Sequence, residues 1–422
     1  MDENAKKPDA GKVFLEESAA ADARKRGRQK QINQSILIPA LAVFSGLVIG
    51  AFIIIFTSEE VYAGFSQSIG AGLAASWKTV ATAYGALFEG SFGSPVRMVN
   101  AVLYGDALEI RRAFNPFLES LVVSTTYIFA GLAVALGFRV GLFNIGVEGQ
   151  LFIGAAAATF VGYSLKGLPP FIHMPLAFLA GGVGGAAWGF IPGWLKAKTG
   201  GHEVINTIMM NWIAFRFTDW LLSGPMQRAD SGGMPISPWI LDSARIPQFF
   251  PAPIRFHLGF FIALLMAYLV YWLLFKSTWG FNMRTVGANP NAARYSGMNI
   301  FRATVIGMSL SGALAGMAGS NQVLAISRNM AMGLSSGYGY DSIALALLGK
   351  SHPLGVVLAA LLFGTLRNGA TNMMVVTGIP IDIISIIQAI ILILIAAPAI
   401  IRTVYRVKPP RETDVVFTQG WK

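Results

Sequence analysis

From residue 36 onward the chain repeats one pattern, an apolar run of about 20 residues closed by a short polar or basic break. A bilayer core takes about 20 residues of helix, so each run predicts a membrane-spanning helix. The runs fall at 36–56, 117–138, from about 151 to the Gly-Leu-Pro-Pro at 167–170, 174–195, 204–222, 258–275, 303–323, a short one at 340–348, 353–375 and 381–401. About ten crossings place both termini on one side. Arg139, Lys196, Lys198, Lys276, Arg284, Arg294, Arg302, Arg402, Arg406 and Lys408 then share that side, as the positive-inside rule requires of the cytoplasm.

The fold class expected is therefore an all-α polytopic membrane protein containing broken helices, with a transmembrane domain at 32–402. Residues 1–31 read as a mobile cytoplasmic tail and 403–422 as a second one. External segments are expected at 57–116, with one surface-lying helix around 77–88, and at 223–257; the loop at 276–302, the most basic between spans, is expected in the cytoplasm. The basic stretch at 24–30 ahead of the first apolar run is arranged like a signal peptide. That run exceeds the roughly 7 to 15 residues of such a segment, so it reads as a span that stays.

Composition agrees: 54% of residues are hydrophobic, 13% are charged, and the mean hydropathy is +0.57. A soluble domain carries about 25% charged residues. The absence of cysteine excludes disulfides and thiolate chemistry. The formal charge of +11 does not form one patch; it collects at span ends, which argues against nucleic acid as a partner and for the lipid bilayer.

Two stripes of small residues predict close helix packing: Gly181, Gly185, Gly189 and Gly193, and Gly307, Ser311, Ala315 and Gly319. Gly-Lys-Ser at 349–351 ends like a nucleotide-binding loop, but Ala344 stands where the pattern needs its first glycine, inside an apolar run. Gly-Val-Gly-Gly-Ala-Ala at 182–187 lacks a surrounding strand and belongs to the packing stripe. The four histidines are too scattered to suggest a metal site, and no catalytic set is legible.

Polar residues inside the apolar pattern carry more. In GLFNIGVEGQLFIG, 141–154, glycines bracket Asn144, Glu148 and Gln150, which predicts a helix break at membrane depth. Such a break is tolerated only where protein or a water-filled path surrounds it. Glu148 can instead cap the third span at the cytoplasmic surface beside Arg139. A similar break precedes Asp341 in SSGYGYDSIALALLG. Asn211, Asn321, Gln322, Asn368 and Asn372 are further amides in or near spans, each able to bond a neighbouring helix or face a solute. Asn144, Glu148, Gln150, Asn211, Asn321, Asp341 and Asn372 form the candidate pathway set.

In TVGANPNAARYSGMNIFRA, 285–303, Asn289 can cap a helix with Pro290 at its first position, continued by Ala292, Ala293 and Arg294 and ended by Gly297. Such a short amphipathic helix on the cytoplasmic side implies something that docks on it.

These blocks, with HEVINTIMMNWIA and YDSIALALLGKSHPLGVVLAALLFG, resemble the permease subunits of ABC-type importers for branched-chain amino acids, ribose-like sugars and nucleosides, and within them the nucleoside and simple-sugar branch. The resemblance spans about 117–401. It implies some ten helices in weakly related halves, a second copy or a related permease alongside, and a cytoplasmic ATPase that binds ATP and Mg. It also implies an external solute-binding protein and residence in the bacterial inner membrane. It carries the ATPase-coupling role to Asn289, Pro290, Ala292, Ala293, Arg294 and Gly297, with no cofactor bound by this chain. A carrier driven by an ion gradient, using Glu148, Asp219, Asp341 or Asp382, is the alternative; a receptor or scaffold leaves the short helix at 289–297 unexplained.

Overall fold

The computed structural model describes residues 37–380 and 382–407. The expected tail at 1–31, the basic stretch at 24–30 and residues 408–422 lie outside the described residues. Those described are helical apart from connecting segments and two isolated β-bridges, Ile236 with Ala331 and Gln248 with His257.

In chain order the helices are α1 (Leu37–Thr57), α2 (Glu59–Gln67), α3 (Ile69–Phe92), α4 (Pro95–Tyr104), α5 (Ala107–Arg139), α6 (Val147–Ser164), α7 (Pro170–Thr199) and α8 (Glu203–Ser223). After the long loop come α9 (Gly259–Lys276), α10 (Thr278–Ala288), α11 (Pro290–Tyr295), α12 (Ile300–Asn321), α13 (Tyr338–Leu348), α14 (Pro353–Thr377), α15 (Asp382–Ala396) and α16 (Pro398–Val404). Local chemistry marks their ends. α7 and α14 open on a proline in the first turn and close on Gly200 and Gly378 in left-handed conformation, φ 71° and 68°.

Among the described residues six helices are long and apolar enough to cross a bilayer: α1, α5, α7, α9, α12 with its extension to Ser327, and α14; α15 and α16 add a seventh if taken as one bent span. α6 and α8 reach span length but are not among the six, because Glu148, Gln150, Asn211 and similar polar residues interrupt them. α13 has 11 residues, half a crossing. The structure thus carries the polytopic all-helical class.

The segment at 57–116 differs from the single surface helix expected. It forms α2, α3, α4 and the first turns of α5, and α3 runs 24 residues. Its small residues pack rather than face water: Ser91 Oγ donates to Thr365 O at 2.7 Å, and Ala83, Ala86 and Leu87 share a core with Leu366, Ala370 and Met373 of α14. Glycine and serine lower the hydropathy of α3 while letting it lie close on its neighbour, which is why the sequence pattern under-reads it.

At the centre, α12 packs against α5, α6 and α7, and α14 packs against α3 and α5. A side chain on Gly181, Gly185, Gly189 or Gly193 of α7 would strike α12 or α6: Gly185 would collide with the Gly312 carbonyl, and Gly193 would lie 2.7 Å from Met308 Cβ. On another face of α12, Gly307 meets Val140, Ser311 donates to Ala133 O at 2.7 Å, and Gly319 lies on the Leu151 carbonyl of α6. Small residues on both faces let this helix sit at the core.

Candidate functional site

The break between α5 and α6 leaves the first amides of α6 without helical acceptors, and buried groups must supply them. Asn144, wholly buried, takes the Gly146 amide on its Oδ1 at 3.0 Å. Its Nδ2 donates to Gln150 Oε1 and to Ser311 Oγ, both at 2.9 Å. Asn211 of α8 accepts from the Gly149 amide at 2.9 Å and donates to Ile145 O at 3.0 Å. Three of the candidate amides therefore hold one broken helix end.

Glu148 sits in the same first turn, 2% exposed, and reaches a second broken helix. Its Oε2 accepts from the Gly339 amide of α13 at 2.6 Å, with the Ser335 hydroxyl and the Gly337 amide also facing the carboxylate. Gly339 fits because a Cβ there would collide with the backbone of Glu148. The N-termini of α6 and α13 thus meet, and one carboxylate lies between their positive ends. Glu148 does not pair with Arg139, whose guanidinium donates to Ser351 O at 2.8 Å and Lys350 O at 3.1 Å.

Asp341 lies half a turn further along α13. Its Oδ2 accepts from Tyr127 Oη of α5 at 2.7 Å and from Arg367 Nη1 of α14 at 3.0 Å. Arg367 also donates to Ser336 O at 2.8 Å and lies over the Tyr338 ring, 4.9 Å from its centroid. The Tyr340 hydroxyl is 3.5 Å from Asn211 Nδ2, and the residue is 45% exposed, next to the partly open Asp341–Arg367 pair.

Asn144, Gln150, Glu148, Asn211 and Asp341 are brought together. Asn321 and Asn372 are not. Asn321 donates to Thr126 Oγ1 at 3.3 Å, near His257 and the π-helical turn Gln322–Ser327. Asn372 donates to Ala86 O at 2.6 Å, in the seam between α3 and α14. Arg367, Tyr127, Tyr338 and Tyr340 were not singled out from sequence. Arg367 was findable there: a cation inside the apolar run at 353–375 is costly in a membrane and marks function or a buried partner.

The short helix α11 stands apart. Asn289 Oδ1 accepts from the Asn291 and Ala292 amides at 3.0 and 3.1 Å, Pro290 opens the helix, and Gly297 follows it with φ 74°. Ala293 is buried among Val286, Ala303, Met298 and Ile300. Arg294 and Tyr295 point outward, the latter 95% exposed. Just before this helix the backbone of Gly287 lies on that of Gly141; a Cβ on Gly141 would stand 2.8 Å from Gly287 Cα. α10 therefore abuts the α5–α6 break directly.

The residues at 349–352 form a tight turn. Their amides donate to Leu345, Leu347, Ala346 and Gly349 carbonyls, leaving no amide cradle for a phosphate.

Comparison with known proteins gives the family of the chain. The chain is 40% identical over 375 residues to the guanosine ABC transporter permease protein NupP of Bacillus subtilis, covering 87% of this chain and 95% of that protein. It is 31% identical over 312 residues to the nucleoside ABC transporter permease protein NupB of Lactococcus lactis subsp. cremoris, covering 72% and 85%. It is 35% identical over 284 residues to a glucose ABC transporter permease protein of Haloferax volcanii, covering 65% and 74%. No solved structure matches. Residues 117–396, the span that holds both broken helices and α11, match the permease component of branched-chain amino acid transport systems, and the chain belongs to that family.

Proposed function

We propose that this chain is the membrane-spanning permease subunit of an ATP-driven importer for nucleosides or simple sugars. A separate cytoplasmic ATPase binds ATP and Mg and grips α11, an external solute-binding protein delivers the solute, and a second permease, identical or related, completes the pathway in a bacterial inner membrane. In this reading the chain crosses about ten times with both termini inside, α6, α8, the half-helix α13 and the bent pair α15–α16 being embedded beside the six apolar helices of bilayer length. The path runs past the junction of α6 and α13, where Asn144, Glu148, Gln150, Asn211 and Asp341 gather.

The observation that carries this is the backbone contact between Gly287 and Gly141. A push on α11 passes through α10 into the break that Asn144 and Asn211 hold, and from there through Glu148 to α13. Packed backbones without intervening side chains transmit displacement with little give. The solute needs only weak polar contacts on the way, since tight binding would slow release.

The test is co-expression with the ATPase and the binding protein, followed by uptake into proteoliposomes. ATP-dependent uptake of nucleoside or sugar is expected, and an ion gradient alone should drive none. Arg294→Glu should cut ATPase co-purification while leaving insertion intact; an unchanged yield of complex removes the docking role.

A further inference from the structure

At the end of the bundle that carries α10, two cations stand without a carboxylate partner among the described residues. Arg139 closes α5 and Arg284 lies on α10, and both guanidinium groups stack on Phe275 at the end of α9, 5.4 and 5.1 Å from its ring centroid. The two charges are therefore no further apart than those distances combined. Each is anchored through Nε to a backbone carbonyl, Arg139 to Ser351 O and Arg284 to Leu274 O, both at 2.8 Å. Neither enters an ion pair among the described residues, where Lys and Arg elsewhere pair with Glu203, Asp219, Asp230, Asp242, Glu119 and Asp341. Like charges held together beside apolar rings are costly unless an anion joins them.

The surroundings say which anion. The His352 ring lies 5.4 Å from Phe275 and 5.8 Å from Tyr271. Beyond these rings the surface is apolar and open, with Tyr268 and Trp272 exposed on α9 and Leu354 and Leu358 exposed on α14, two neighbouring helices of bilayer length. Aromatic rings at the end of an apolar helix, with cations just beyond, are what headgroup depth requires. A free phosphate would use the cations alone, whereas a phospholipid uses the cations and the apolar wall together.

We propose that Arg139 and Arg284, stacked on Phe275, bind the phosphate of an anionic phospholipid whose acyl chains lie along α9 and α14. Their remaining N–H groups give the planar, forked donor set that suits a phosphate. The ammonium of a zwitterionic headgroup is disfavoured there by Lys276, which follows Phe275. Because Arg284 precedes Gly287 on α10, the lipid ties α10 to α5 at the contact through which α11 reaches the α5–α6 break.

The experiment uses the complete purified transporter in detergent, examined by native mass spectrometry with phosphatidylglycerol or phosphatidylcholine added, and by thermal denaturation with the same lipids or with inorganic phosphate. Wild type should retain phosphatidylglycerol over phosphatidylcholine and melt later with it. Arg284→Gln, which leaves the Arg139 bonds to the turn in place, should lower that preference roughly fivefold, and Arg284→Lys should keep part of it. Arg216→Gln, at an exposed position on α8, should change nothing. Equal retention of the two lipids by wild type, or undiminished preference in Arg284→Gln, overturns the proposal. So does stabilisation by millimolar inorganic phosphate equal to that by phosphatidylglycerol, which marks a free-phosphate site.

Discussion

Glu148, in the first turn of α6, accepts the backbone amide of Gly339, in the first turn of α13, at 2.6 Å, although 191 positions separate them. One buried carboxylate on α6 thus accepts from the first turn of α13, whose amides lack helical acceptors, while Asn144 and Asn211 take the amides of α6. Replacing it with alanine strips a charge-assisted hydrogen bond of about 2 kcal/mol from the junction. Glu148→Ala should insert into the membrane yet lose most uptake, with Glu148→Gln, which keeps an acceptor oxygen, intermediate; uptake in proteoliposomes at equal protein level checks the order.

The Asp341–Arg367 pair is partly open, its side chains 33% and 24% exposed. Arg367→Met leaves Asp341 beside Tyr127 without its cation and should destabilise by about 2 kcal/mol, less than the roughly 3–5 kcal/mol for breaking a fully buried pair because water reaches this one. Adding Asp341→Asn to that variant should restore part of the loss. Denaturation of the two single variants and the double variant measures the coupling, and strict additivity would show that the pair contributes nothing.

Two glycines on helices should respond oppositely to alanine. At Gly185 a Cβ collides with the Gly312 carbonyl of α12, so Gly185→Ala must push α7 away at a cost of about 1–3 kcal/mol. At Gly85 in α3 nothing lies within 4 Å of the added carbon, and Gly85→Ala should stabilise by about 0.5–1 kcal/mol through helix propensity. Thermal melts of both variants in detergent test the contrast.

His257, wholly buried just before α9, has its imidazole pulled down to about 4 by burial and then by the neighbouring Arg255. Its Nδ1 accepts from the Gly259 amide at 3.1 Å, so the neutral ring is the form that fits. Above pH 6.5 neither the folded nor the unfolded chain protonates this residue, and it carries no penalty. Between pH 6.5 and 4 the unfolded chain binds a proton that the folded one refuses, so stability falls as pH falls, by about 3 kcal/mol at pH 4. His257→Asn keeps an acceptor for the Gly259 amide and should flatten that part of the stability profile measured by melts from pH 7 to 4.

Asn289 was readable because its work is local: it caps the amides two and three positions on, so residue type and spacing already imply the bond. For Asn144 the glycines around it implied the helix break, while its bond to Ser311, 167 positions away, was not legible. Asn321 and Asn372 look equivalent in sequence and are not. One lies in the core beside Thr126, the other in the α3–α14 seam, because an amide's face on a helix has meaning only once the neighbouring helix is placed. Arg367 and Tyr127 escaped for the same reason: Asp341 selects them from two other helices, 26 and 214 positions away.

By itself the sequence determined the all-helical membrane class, the broken helices, the capped α11 and the glycine faces, since hydropathy over 20 residues, capping and small-residue spacing are properties of neighbours along the chain. Only the tertiary structure decided that Glu148 joins α6 to α13, that Arg139 turns away from it toward Phe275, and that α3 packs its small residues against α14. Those outcomes depend on which helices pack together, a matter of long-range contacts that no local spacing encodes.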